Sequence, residues 1–166
     1  MPSQDPARRA VVTAMGAITP IGNDVETYWS NLLAGVSGAG LISTFDTTNH
    51  DVKIAAEVKD FDATLTMDRK MVRRMSRFIH FGMAAATEAI TKSGIDFASW
   101  TPEQRDRVGV VINTGGGGME QVIDGAKTLQ EKGPGQVSPF AIPAVSGSMA
   151  AALVSMKYGQ IGRAHV

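Results

Sequence analysis

Five cationic side chains within nine consecutive positions form the strongest chemical signal in the sequence. This basic cluster consists of Arg69, Lys70, Arg73, Arg74 and Arg77. All but Arg69 are spaced to share one face of a helix, opposite a stripe of Met and Phe side chains. They fall in the first turns of that predicted helix, where positive charge opposes the helix dipole, which indicates a surface kept for an anionic partner. A solvated face without a partner explains the spacing equally well.

Four consecutive glycines at positions 115–118 stand between a predicted strand and a predicted helix. Backbone N–H groups at such a place can bind a phosphate. However, the run has neither the P-loop spacing nor a clearly placed acidic partner for a ribose. The alternative is structural: the glycines allow strand and helix to pack tightly, or they leave room for the apolar chain of a ligand.

The sequence contains no cysteine, so it has no disulfide, no thiolate zinc site and no cysteine nucleophile. Its three histidines, His50, His80 and His165, lack metal-ligand spacing, and we expect structural or surface roles for them. No GxSxG or HExxH motif is present. The residues alone therefore predict no catalytic, metal or cofactor site.

Hydrophobic periodicity predicts helices alternating with short strands. Strands are predicted at 10–13, at 53–58 and at 108–112, the last of them covered on both faces. A helix is predicted at 25–33, with Asn23 or Asp24 as its N-cap and Gly35 closing it. Further helices are predicted from a cap at Thr66 or Asp68 to Gly94, from Met119 onward with an apolar inner face, and at 147–157, with a loop at 138–143. This order predicts one α/β domain with a layered and mostly covered sheet.

Composition excludes several classes of protein. Sixteen basic and sixteen acidic residues give a formal net charge of zero, which argues against a general attraction to nucleic acid or to an anionic membrane. A hydrophobic content of 43% is too high for a disordered chain. Neither a signal peptide nor a stretch of ~20 apolar residues is present, so we expect a cytoplasmic protein.

Several segments, taken in order, share the character of one enzyme family. They lie at 10–16, 19–23, 32–38, 45–47, 73–78 and 138–140. Together they resemble the β-ketoacyl-acyl-carrier-protein synthases, and most of all synthase II of bacterial fatty-acid elongation. Ala14 and Ser76 are mild departures, because the family commonly has Gly and Asp there.

The resemblance implies the N-terminal part of a thiolase-like fold, an incomplete α-β-α layered structure that assembles as a homodimer. Members catalyse a decarboxylative Claisen condensation. A cysteine takes an acyl group from a carrier-protein thioester, and a malonyl carrier thioester then decarboxylates and attacks it. Two histidines and an oxyanion hole assist. No cofactor is implied.

The same resemblance sets the expected domain boundaries. Residues 8–160 correspond to the N-terminal domain, truncated before the nucleophile, which in the family follows the segment matching 156–159. We therefore expect a catalytically inactive fragment. Residues 161–166 resemble nothing in the family and coincide with one translated frame of a common sequencing adapter, so we expect an artefactual tail.

Site residues follow from the resemblance position by position. Lys70, Arg73 and Arg74 match residues that hold the acidic acyl carrier protein. The acyl-pocket residues are expected to be Gly116, Ala141 and Ile142. Because Gly116 and Ala141 are smaller than the usual residues, the resemblance implies a pocket for long or bulky acyl chains. A second basic carrier contact is missing, since Gly and Gln stand at 135–136.

Three alternatives to a fragment of a fatty-acid condensing enzyme remain open. They are a non-catalytic carrier-binding module, a chain-length-factor-like subunit and a polyketide-type ketosynthase. A fragment should expose an unpaired sheet edge and an uncovered apolar face, and it should aggregate. A module should be soluble and monodisperse.

Overall fold

The computed structural model describes residues 10–159 and 163–165. Its helices are α1 (Val25–Leu33), α2 (Arg69–Arg74), α3 (Arg77–Ser93), α4 (Pro102–Arg105), α5 (Met119–Lys132), α6 (Ala141–Val145) and α7 (Met149–Lys157). Its strands are β1 (Ala39–Leu41), β2 (Ile54–Ala56), β3 (Gly109–Val111) and β4 (Arg163–His165). Short 3-10 turns occupy Ala63–Leu65, Phe97–Ser99 and Pro134–Gln136. The mixture of helices and strands confirms the predicted α/β class.

The core lies between α3 and α7. Ile79 and Met83 on α3 pack with Ala150 and Val154 on α7, and all four are buried. The small side chains of α7 let the two helices approach closely, because ridges of small residues permit a short interaxial distance. α3 ends at Gly94, whose φ of +69° is the left-handed conformation that glycine adopts without strain. The predicted end of this helix is confirmed.

α1 also begins and ends as its sequence predicts. The Asp24 carboxylate accepts a hydrogen bond from the Thr27 N–H at 2.8 Å, which caps the first turn. Gly35 follows the helix with a φ of +70°.

The helix predicted from residue 66 or 68 to Gly94 is wrong as a single element. Met75 and Ser76 are extended, with ψ values of 152° and 157°, and divide it into α2 and α3. Asp68 caps α2, accepting hydrogen bonds from the N–H groups of Lys70 and Met71. At this break, the buried Ser76 hydroxyl donates to the Ala144 carbonyl oxygen, at 2.5 Å.

The strands are shorter and more exposed to solvent than predicted. Residues 10–13 form no strand, because no partner strand pairs with them within the described part of the chain. β3 pairs with β4 in parallel, at Val110 opposite Ala164, but Val111 is 70% exposed. The prediction that this strand is covered on both faces is therefore wrong here, since only the face carrying Val110 packs on the core. Of the expected tail, residues 161, 162 and 166 lie outside the described residues.

The hairpin of β1 and β2 carries the strand predicted at 53–58. The two strands are antiparallel, with Gly40 opposite Ala55. Just beyond them, Glu57 accepts hydrogen bonds from the hydroxyls of Thr44 and Ser43, at 2.7 and 2.8 Å, and from both backbone N–H groups. These bonds lower the pKa of Glu57 to about 2. The carboxylate thereby holds the segment leaving β1 against the end of β2.

The apolar stripe of α5 is exposed, although the sequence predicts an inner face there. Met119, Val122 and Ile123 are all exposed, because α5 packs chiefly on α6 and on the 3-10 turn at Pro134–Gln136. The predicted loop at 138–143 is also wrong in part, since α6 begins at Ala141.

Glu88 on α3 fastens the N-terminal segment to the core. Its carboxylate accepts hydrogen bonds from the N–H groups of Ala17 and Val25, both at 2.9 Å, and from the Lys92 ammonium at 2.6 Å. Burial alone would raise the pKa of Glu88, but these donors outweigh burial and the pKa is lowered. Residues far apart in sequence are thus held by one charged group.

We expect Glu88→Gln to destabilise the chain by about 1 kcal/mol at neutral pH, because charge-assisted hydrogen bonds become neutral ones. The pKa of Glu88 is lower in the folded chain than in the unfolded chain. Its contribution is therefore complete above the unfolded value of about 4.3 and is lost as pH falls through the folded value. Urea denaturation of both proteins at pH 7 and near pH 3 measures this. A stability difference that does not shrink at the lower pH contradicts the assignment.

Candidate functional site

The basic cluster divides at the break between α2 and α3. Lys70 and Arg73 are exposed on α2, and no side-chain hydrogen bond or ion pair joins either of them to another residue of the described chain. Arg73 and Arg74 lie in the last turn of α2, where the helix dipole favours positive charge. The prediction that these cations oppose the dipole is therefore wrong for both arginines. The break also ends the single face that they were predicted to share with Arg77.

Arg77 and Arg74 are both engaged within the chain. The Arg77 guanidinium donates to the Val58 carbonyl oxygen at 2.9 Å and lies 4.9 Å from the centre of the Phe81 ring. Arg74 is half-buried, and its guanidinium carbon lies 4.0 Å from the centre of the Phe140 ring. Arg77 therefore has a structural role, while Arg74 connects α2 to the segment that leads into α6.

Ser76 forms a second connection between these parts of the chain. Its buried hydroxyl donates to the carbonyl oxygen of Ala144, near the end of α6. Gly118, also buried, lies against the same pair: a Cβ added there would clash with the Ser76 Oγ and lie 2.6 Å from the Ala144 oxygen. The end of α2, α6 and the beginning of α5 therefore meet at one tightly packed junction.

The two halves of the glycine run differ in their surroundings. Gly117 has a φ of +57°, and a Cβ on it would clash with the Val145 carbonyl oxygen. A Cβ on Gly115 would meet nothing within 4 Å, and one on Gly116 would meet only Met119 Cγ, at 3.8 Å. Gly117 and Gly118 thus allow tight packing, as the structural alternative predicts, while space remains open beside Gly116.

The three predicted acyl-pocket residues lie on the two segments that meet at this junction. Gly116 is exposed and just precedes the packed glycines, whereas Ala141 and Ile142 form the first turn of α6. Ala141 is half-buried and Ile142 is 76% exposed. The junction therefore brings their segments together next to Arg74 of the basic cluster.

The histidines take positions that fit structural roles. A ring nitrogen of His80 lies 3.1 Å from the Val72 carbonyl oxygen, which belongs to α2 across the helix break. Burial lowers the pKa of His80, so its ring is neutral at pH 7. His50 is exposed and packs edge-on against Phe45, while the side chain of His165 lies outside the described residues. In the described ranges, no group of His, Asp and Glu side chains could hold a metal ion.

A protein-family model identifies the family of this chain. Residues 7–166 match the model described as "Beta-ketoacyl synthase, N-terminal domain". The chain belongs to the beta-ketoacyl synthase family. Its resemblance to this family, first indicated by short segments, therefore extends over almost the whole sequence.

Curated relatives agree with the family model. The chain is 41% identical to 3-oxoacyl-[acyl-carrier-protein] synthase 2 of Synechocystis sp. and 44% identical to that of Vibrio harveyi, each over 155 residues. The protein of the same name from Staphylococcus aureus is 43% identical. Each alignment covers 93% of this chain but only 36% or 37% of the relative. The chain thus spans little more than a third of the length of these synthases.

Solved structures confirm the thiolase-like fold. The ishigamide ketosynthase/chain length factor superposes with a TM-score of 0.78 at 24% identity, over 92% of this chain and 38% of that one. A beta-ketoacyl synthase from Burkholderia phymatum gives a TM-score of 0.72 at 24% identity, over 92% and 37%. A type II PKS acyl-carrier protein in complex with its ketosynthase gives 0.71 at 25% identity, over 90% and 38%.

None of the helices within the described ranges combines the length and the hydropathy that a membrane span requires.

Sequence reasoning missed the residues that connect the predicted site residues. Neither the contact of Arg74 with Phe140 nor the acceptor role of Glu120, whose carboxylate lies 3.3 Å from the Arg77 N–H, was foreseen. One signal was available for the helix break. A serine within a helical pattern favours an N-cap position, and Ser76 is the N-cap residue of α3.

Proposed function

We propose that this chain is the carrier-docking, N-terminal portion of a 3-oxoacyl-acyl-carrier-protein synthase of fatty-acid elongation. The observation that carries the proposal is the alignment of 93% of the chain with such synthases at 41–44% identity. These relatives are all named 3-oxoacyl-[acyl-carrier-protein] synthase 2, which favours the fatty-acid pathway over the polyketide alternative.

In the reaction of the family, a cysteine thiolate takes the acyl group and releases the carrier thiol. The malonyl thioester then loses CO₂, and its carbanion attacks the acyl-cysteine to form the new carbon–carbon bond and free the cysteine. The 166 residues contain no cysteine, so we propose that this portion contributes binding and pocket walls but not the nucleophile. We propose likewise that this portion does not supply the catalytic histidines of the family, and that the whole enzyme is a cytoplasmic homodimer.

Carrier docking is supported by the charges on α2. Lys70 and Arg73 are exposed and unpaired within the described chain. A partner can therefore bind them without breaking an ion pair inside the protein. An acidic carrier would form ion pairs with these two side chains. Among the structural relatives, one is a type II PKS acyl-carrier protein in complex with its ketosynthase. We therefore assign the docking surface to Lys70, Arg73 and Arg74.

Titration with a bacterial acyl carrier protein tests this assignment. We expect Lys70→Ala combined with Arg73→Ala to weaken binding about tenfold at low ionic strength, because two ion pairs with the carrier are lost. The matched control is Lys127→Ala combined with Lys132→Ala, which removes the same charge from exposed positions of α5. Isothermal calorimetry at two salt concentrations measures both pairs.

The control should bind within twofold of the parent chain, and the affinity of the parent should fall as salt screens the charges. Equal weakening by both double variants would show that only net charge matters and would overturn the assigned surface. Binding itself would not distinguish a fragment from a non-catalytic module, whereas self-association would. The exposed apolar side chains of α5 and the exposed Val111 of β3 favour the interpretation that the chain is a fragment.

The acyl pocket belongs to the same proposal. Gly116 has open space where a side chain would stand, and Ala141 is small. We propose that these residues and Ile142 line a pocket that accepts long or bulky acyl chains. A full-length enzyme that strictly prefers short chains would contradict this part of the proposal.

A further inference from the structure

Arg74 differs from the other two docking cations because it already has a partner. Its guanidinium covers the Phe140 ring at 4.0 Å, while Lys70 and Arg73 extend from α2 without a partner in the described chain. A cation above an aromatic ring is held weakly when it is near the surface. A carboxylate offers the same guanidinium two charge-assisted hydrogen bonds, which are stronger. An acidic partner on α2 therefore competes directly with Phe140 for Arg74.

The helix that follows Phe140 is held more firmly at its end than at its beginning. Near its end, the carbonyl of Ala144 is held by Ser76 and packed against Gly118. At its beginning, the N–H groups of Phe140 and Ala141 bond to the exposed neighbouring residue Ser138, at 3.2 and 3.0 Å, and therefore to a local turn of the chain. Phe140 packs on the core on one side and lies under Arg74 on the other. Removing Arg74 thus takes away one of the two contacts of the Phe140 ring and loosens the beginning of α6, while the end of α6 stays in place.

We propose that Arg74 is a positioning residue that senses the carrier: it holds Phe140 and the first turn of α6 in the free protein and releases them when an acidic carrier pairs with it. Ala141 and Ile142, the proposed pocket residues, occupy the turn that is released. Docking on α2 would therefore change the pocket wall before any acyl chain reaches it. This coupling rests on the proposed function, since it requires an acidic carrier on α2.

A fluorophore at one introduced cysteine tests the coupling directly. The chain has no cysteine of its own, so Ile142→Cys gives a unique labelling site on the exposed first turn of α6. Titration with a bacterial acyl carrier protein then reports the environment of α6, and calorimetry reports affinity separately. Phe140→Leu removes the ring but keeps an apolar side chain. Phe45→Leu, in an exposed loop away from Arg74, is the matched control.

We expect carrier binding to change the fluorescence of the labelled parent. Phe140→Leu should bind the carrier about twofold to fivefold more tightly, which corresponds to the ~0.5–1 kcal/mol of the cation–ring contact that no longer has to be broken. Its label should start near the carrier-bound signal and change little, while Phe45→Leu should behave as the parent does. Circular dichroism confirms that both variants keep the helical content of the parent.

The outcomes separate the two proposals. Carrier binding without a fluorescence change at position 142, or an unchanged affinity and response in Phe140→Leu, would overturn the role of Arg74 and leave the docking surface intact. A parent chain that does not bind the carrier at all would overturn the proposed function and the coupling with it.

Discussion

Replacing Gly118 with alanine should destabilise the chain by about 1–3 kcal/mol, the usual cost of forcing extra volume into a packed site. The added Cβ would clash with the Ser76 hydroxyl and stand 2.6 Å from the Ala144 carbonyl oxygen. Both neighbours are fixed by their mutual hydrogen bond, and one of them is backbone, so neither can move without cost elsewhere. The strain would fall on the contact between the beginning of α5 and the end of α6.

Gly116→Ala is the matched control, two positions earlier in the same glycine run. Its Cβ would meet only the Met119 Cγ, at 3.8 Å, an ordinary contact with a flexible side chain. We expect its stability to lie within about 0.5 kcal/mol of the parent, as for exposed substitutions generally. Urea denaturation followed by far-UV circular dichroism measures both variants. Equal stability of the two would mean that the junction at Ser76 is not tightly packed.

Much of the local structure could be predicted because it depends on neighbours in sequence. The cap at Asp24 and the left-handed glycines at Gly35 and Gly94 need only a few adjacent residues, and all three are confirmed. The division of α2 from α3 could not be predicted in the same way. It coincides with a tertiary contact, the bond between Ser76 and Ala144, which are separated by 68 positions. Helical periodicity continues across the break and conceals it.

Burial was the property that the sequence predicted least well. The apolar runs around Val111 and along α5 are typical of covered elements, yet both are exposed in this chain. Periodicity indicates which face is apolar, but it does not supply the element that covers that face. The relatives are nearly three times longer than the segment aligned here, and in them further elements are available for this role.

The candidate site was predicted residue by residue but not as a connected unit. Spacing predicted a common helix face for Lys70, Arg73 and Arg74, and the resemblance assigned that face to the carrier and the pocket residues to another surface. The structure adds the two links between them, from Arg74 to Phe140 and from Ser76 to Ala144. Neither link could be read from spacing, because each joins residues more than sixty positions apart.

The largest loss of stability is expected for Ile79→Ala, at about 2–5 kcal/mol. Ile79 is fully buried on α3 and belongs to the cluster that packs against Ala150 and Val154 of α7. Among the described residues the buried hydrophobic core is small, and half of its members are alanines. The cluster around Ile79 also contains the flexible side chains of Met67, Met75 and Met83, which can move part-way into the cavity that Ile79→Ala would leave, so the loss should fall in the middle of the range.

Ile123→Ala on α5 makes the same chemical change where the side chain is already 63% exposed. It should change the free energy of unfolding by less than about 0.5 kcal/mol, because little apolar surface is returned to water. Urea denaturation of both variants, at a low and at a high protein concentration, gives the comparison. A comparable loss in Ile123→Ala would show that the exposed stripe of α5 is buried in solution, most simply against another copy of the chain. The stability of the α3–α7 pair would then depend on association as well as on its own packing.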